Sequence, residues 1–100
     1  MNPQTTVLPG GHVVVALSGE LDVDTVPEAR NALDSAVGQA VTGVIINLAE
    51  VTFLDAAGLG VLVRVSKNTQ HLPDGLRLAA VPAHVRRLLE VTGLSRDLSG

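Results

Sequence analysis

The chain has 100 residues, 46% hydrophobic and 17% charged, which fits one folded domain of modest core and excludes a disordered polymer. It has no cysteine, so disulfides, thiol nucleophiles and thiolate metal sites are excluded together. A net charge of −3 and a single aromatic residue, Phe53, argue against nucleic-acid binding, which needs a basic stripe or stacking platforms.

No apolar run approaches the ~20 residues of a membrane span, and the amino terminus lacks the basic-then-apolar character of a secretion signal. A cytoplasmic location is therefore the expectation. Residues 1–11 read as a tail with a short edge strand around Thr5 to Leu8, closed by Pro9-Gly10-Gly11. His12 to Ser18 is short and β-branched, which predicts a buried strand, and Gly19 is expected to end it.

The period then changes. Val26, Ala29, Leu33, Ala36 or Val37, and Ala40 recur at helical spacing. Thr25 and Glu28 have the spacing of a capping box, and Pro27 falls in the first turn, where its missing N–H costs nothing. Gly43 precedes a compact strand, "VIINL", expected to end near Leu48.

Leu59 to Gln70 is ambiguous. Val61, Val63 and Val65 alternate as in a strand, whereas Leu59, Leu62, Val63 and Ser66 form a helical stripe. The length favours a helix, with Asp55 or Ala56 at its entry as an acceptor for free amides. Leu72-Pro73-Asp74-Gly75 is a turn, Leu76 to Ala80 a short strand, and Pro82 opens a last helix. Val81, Val85, Leu88, Leu89 and Thr92 share one face of that helix, Gly93 stops it, and Leu94 is placed for the accompanying apolar contact. Ser95 to Gly100 reads as a tail. Strand and helix alternate, so the fold expected is α/β, with helices covering a sheet.

Catalytic constellations are lacking. His12, His71 and His84 have no ligand-like spacing. Gly58-Leu59-Gly60 lacks both the third glycine of a dinucleotide loop and a Walker lysine. Glu20, Asp22 and Asp24 alternate, yet nothing completes a cation loop; Asp22 and Asp24 read as helix-entry acids that favour the positive end of the dipole. Ser18, Ser35, Ser66, Ser95 and Ser99 have no evident base partner. What stands out instead is a pair of strand-to-helix junctions, "SGELDVDT" and "FLDAAGLG". Each sets an acid, small residues and glycine beside a helix start, where another backbone can approach closely.

Three segments, "LSGELDVDTVPEAR", "VIINLAEVTFLDAAGLGVLV" and "LRLAAVPAHVRRLLEVTGL", together resemble the STAS domain in its small anti-sigma factor antagonist form. The likeness runs from about Val13 to Leu94, within a core of about 12–94. It implies a single domain over 1–100 with a mixed four- to five-stranded sheet covered by helices, and no enzyme activity, cofactor or metal. Proteins of this family bind an anti-sigma factor that is a serine kinase and so release a sigma factor. The resemblance also implies a phosphoacceptor serine directly after the motif aspartate.

Here that position is Ala56, and the next hydroxyl position of the motif is Ala57. The switch expected of the family cannot operate at Ala56, which has no hydroxyl. The expected partner-binding set is Asp22, Asp55, Ala56, Ala57, Gly58, Leu59 and Gly60. Asp55 has a simpler reading as the helix cap alone. Thr52 and Ser66 are the alternative phosphosites. Other readings of the resemblance are an accessory STAS subunit of a lipid or anion transporter, and a scaffold module. A monomer or weak dimer is expected.

Overall fold

Two long parallel strands carry the molecule. In a computed structural model that describes residues 1–94, β2 (His12–Leu21) and β3 (Gly43–Leu54) pair along their length, from His12 with Gly43 to Leu21 with Leu54. β1 (Gln4–Val7) lies antiparallel on the outer side of β2, and β4 (Gly75–Ala79) parallel on the far side of β3. The result is the expected mixed sheet, four strands in the order β1-β2-β3-β4. The segment after Leu94, expected as a tail, lies outside the described residues.

Three helices alternate with the strands: α1 (Val26–Gln39), α2 (Ala56–Asn68) and α3 (Ala83–Thr92). β2, β3 and β4 follow in sequence order, and parallel crossovers share one hand, so α1 and α2 fall on the same side of the sheet. There they pack on one another. Val13, Val15 and Leu17 of β2 and Val44, Ile46 and Leu48 of β3 face them and are fully buried. Ala29, Leu33 and Ala36 come down from α1, Leu62 and Val65 from α2, and Val85 and Leu89 from α3, into that one core. The alternate strand residues Val14, Ala16, Ile45 and Asn47 are only half-buried, on the opposite face.

Both long strands outrun their sequence expectation. β2 does not stop at Ser18: Gly19 sits at φ +83°, with register shifts between Ala16 and Ser18 and between Gly19 and Glu20. The positive φ of Gly19 lets β2 bend opposite the bulged β3 and continue instead of ending. β3 continues past Leu48 to Leu54 because the extended β2 offers it a partner. Across the second shift, Val51 pairs with Gly19 and Phe53 with Glu20, leaving Thr52 as the extra residue.

The helix reading of the ambiguous segment holds, and α2 begins at Ala56 with Asp55 at its entry, as expected. The capping box of α1 does not form. Thr25 has a helical backbone and no side-chain cap bond to the helix. Its hydroxyl turns back instead, donating to Glu20 O at 2.7 Å and accepting from Asp22 N at 3.0 Å. β4 ends one residue early because Ala80 turns to φ +53°. α3 stops as expected at Gly93, and Leu94 N–H donates to Leu89 O at 2.9 Å, the bond that closes a left-handed helix end.

Candidate functional site

The carboxyl ends of β2 and β3 lie side by side, so the two strand-to-helix junctions become one surface. Its fixed point is Asp55. The residue has extended backbone, and its Oδ1 accepts from Gly58 N–H at 3.0 Å, satisfying an amide left free at the start of α2. Its Oδ2 accepts from Val23 N–H at 3.3 Å, while its own N–H donates to Leu21 O at 3.3 Å. One carboxylate therefore caps α2 and tethers the loop after β2.

That loop is braced from within. Asp22 Oδ1 accepts from Asp24 N–H at 3.0 Å and Thr25 N–H at 3.1 Å, a tight aspartate turn. Asp22 is thus the acid that prepares α1, in the place where Thr25 and Glu28 were expected. No group of three or more metal-ligating side chains gathers among the described residues.

Gly58 is the other fixed point. A Cβ built there would overlap Leu21 O and stand 2.9 Å from Leu21 Cγ, so the first turn of α2 can lie on β2 only without a side chain. Gly60 faces open space and is not constrained in this way. The expected contact set therefore divides. Asp22 and Asp55 are half-buried, Ala56 and Gly60 are exposed, and Ala57 is half-buried, all at the surface of one junction. Leu59, only 7% exposed, belongs to the core, and Gly58 is buried under the junction. α2 turns both inward to seat its first turn against the core.

The two alternative phosphosites are separated. Thr52 is exposed on the β3 bulge, three residues before Asp55. Ser66 is ten residues after Ala56 on α2, about 15 Å along the axis.

Sequence reading missed two apolar members. Phe53, 48% exposed, lies two residues before Asp55 on β3, and Val23, 68% exposed, has its N–H on Asp55 Oδ2. A lone aromatic two residues from a helix cap was the available signal, obscured because β3 was expected to end at Leu48. Both junction segments are acidic in sequence, Glu20, Asp22 and Asp24 on one and Glu50 and Asp55 on the other, with no Lys or Arg in residues 18–29 or 48–63.

Comparison with known proteins agrees with this architecture. The STAS domain family model matches residues 2–99. The chain is 36% identical over 86 residues to the anti-sigma-B factor antagonist of Listeria monocytogenes, covering 84% of this chain and 74% of the relative. It is 37% identical over 84 residues to the anti-sigma-B factor antagonist of Staphylococcus epidermidis, covering 84% and 77%. Among solved structures it superposes on the unphosphorylated form of the anti-sigma factor antagonist SpoIIAA with TM-score 0.79 and 26% identity, over 97% of this chain and 85% of that one. The phosphorylated form of the Bacillus protein gives 0.74 at 26% identity, over 97% and 88%. By motif, fold and sequence, the chain belongs to the STAS domain family.

Proposed function

We propose that this protein is an anti-sigma factor antagonist that docks on a serine-kinase anti-sigma factor through the Asp22–Asp55 junction, and that it stays binding-competent because no kinase can phosphorylate position 56. The observation that carries this reading is Ala56 itself. It is exposed at the first residue of α2, directly after the capping Asp55, in a chain 36% identical to an anti-sigma-B factor antagonist. A phosphate at that position would add about −1.5 to −2 charges to a surface already acidic. Alanine removes the acceptor and leaves the cap, the tether and the Gly58 fit in place.

The chemistry of the surface suits such a role. Phe53 and Val23 offer apolar anchors, and the acids around them offer a rim. Interfaces commonly take most of their affinity from a few such anchors, with surrounding charge setting approach and orientation. The complementary partner surface is a shallow apolar recess edged by lysine or arginine. Control then falls on the abundance of the antagonist or on its partner.

Pull-down with the serine-kinase anti-sigma factors of the source organism, with and without ATP, tests the reading. Capture of one kinase in both conditions, with the intact mass of the antagonist unchanged, is the expected result. Capture with a rise of one phosphate would move the switch to another hydroxyl, with Thr52 the first to map. Failure to bind any of them would remove the antagonist reading and favour a transporter-associated or scaffold role.

A further inference from the structure

Among the described residues, nothing pairs with the outer edge of β1. All four of its side chains are exposed, and residues 1–11 contain no charged side chain. Exposed edges are usually protected by lysine, a bulge or an inward charge. The opposite edge has such protection, with exposed Arg77 at the middle of β4 and a left-handed turn at Ala80.

The backbone direction of β1 follows from one bond. Leu8 N–H donates to His12 O at 2.8 Å, and the antiparallel register runs from Val7 with Val13 to Gln4 with Ala16. Polar backbone groups alternate sides along a strand, so Gln4, Thr6 and Leu8 bond inward to β2 while Thr5 and Val7 point outward. The next outward positions are Pro3 and Pro9, which have no N–H to offer. The free edge is therefore a two-residue donor set bracketed by prolines and centred on Thr6.

We infer that β1 pairs with β1 of a second copy of this chain, antiparallel across a two-fold axis at Thr6, joining two four-stranded sheets into one. This register sets Thr5 against Val7 of the other copy, and Val7 against its Thr5, satisfying all outward N–H groups of both strands. A pairing centred on Thr5 would set Val7 against Pro3, before the strand, and one centred on Val7 would set Thr5 against Pro9, in the turn after it; only the Thr6 register keeps both bonding partners within β1. Pro3 falls opposite Pro9 of the second copy, so the missing donors meet each other at the two ends of the ribbon. Val7, 59% exposed on the monomer edge, gains a β-branched cross-strand neighbour. The inference stands apart from the docking reading, since it uses the other side of β2.

A ribbon this short buries less than a standard interface, so the dimer is weak. Sedimentation equilibrium should show the average mass rising from 10.3 kDa toward twice that value at ~1 mM chain. Thr5→Pro removes an outward N–H and no ladder bond to β2; it should abolish the rise while leaving the unfolding midpoint near that of the native chain. Thr6→Cys gives a second arm in a chain with no other cysteine. The two Thr6 residues form a non-hydrogen-bonded pair with Cα atoms about 4.5 Å apart, within disulfide reach. In the same register, two Gln4→Cys thiols would lie roughly 13 Å apart along the strands.

Mild oxidation should therefore cross-link Thr6→Cys at least ten-fold faster than Gln4→Cys. Equal cross-linking rates would overturn the inference. So would a chain that stays monomeric while Thr5→Pro weakens capture of a protein partner, because the edge would then receive a partner's strand.

Discussion

Gly58 and Leu21 are in contact through backbone: the α-carbon of Gly58, in the first turn of α2, lies so close to the Leu21 carbonyl that no Cβ fits between them. This contact sets how deeply α2 sits on β2, and so fixes where Asp55 and Ala56 meet the surface. Gly58→Ala should destabilise the fold by about 1–3 kcal/mol, since the opposing atom belongs to backbone that cannot rotate away. Urea unfolding measures this; Gly60→Ala, facing open space inside α2, should instead stabilise the chain by about 0.5–1 kcal/mol.

Asp55 makes two separable contributions. Asp55→Ala removes the cap of α2 and should cost about 1 kcal/mol. Asp55→Asn keeps an acceptor for Gly58 N–H and should recover most of that loss. Amide hydrogen exchange distinguishes the two roles: Val23 and Gly58 should both exchange faster in the alanine variant, and Val23 alone in the asparagine variant.

Phe53→Ala and Val23→Ala test the apolar anchors. Both side chains are largely exposed, so stability should move by less than about 0.5 kcal/mol. Affinity for the kinase partner should fall about ten-fold or more for Phe53→Ala, near the 1–2 kcal/mol expected of an interface anchor. Calorimetry checks both, and unchanged affinity in each variant would place the contact surface elsewhere.

Charge offers an independent check. The two junction segments hold five of the chain's ten acidic side chains and no Lys or Arg in residues 18–29 or 48–63, so partner affinity should fall as salt rises from about 0.05 to 0.5 M. Glu20→Lys should lower the association rate more than it raises the dissociation rate, because a rim charge acts mainly on approach. Stopped-flow binding measures the two rates.

Much of this site was legible in the sequence because its local rules are strong. Asp55 before a helical stripe is an acceptor where amides need one, and Gly93 with Leu94 is a stop with a mechanism. Misjudged features depended on partners distant in the chain. Gly19 looked like a strand end, yet pairing with the bulged β3 carries β2 through it. Thr25 had the spacing of a cap, but the Glu20 carbonyl and Asp22 took its hydroxyl. Phe53 could not be assigned to an exposed rim until β3 was known to reach Leu54. Gly58 was marked by its type, whereas its reason, the Leu21 carbonyl, lies 37 residues earlier in the chain.

The central claim is that Ala56 keeps the docking surface permanently free of phosphate. The most direct measurement is calorimetric affinity for the partner kinase before and after incubation with ATP, for the native chain and for Ala56→Ser. The native chain should bind equally well in both conditions and gain no mass. Ala56→Ser should bind like it at first, then gain one phosphate and lose affinity at least ten-fold. Loss of native-chain binding after ATP, with a phosphate on any residue, would contradict the account.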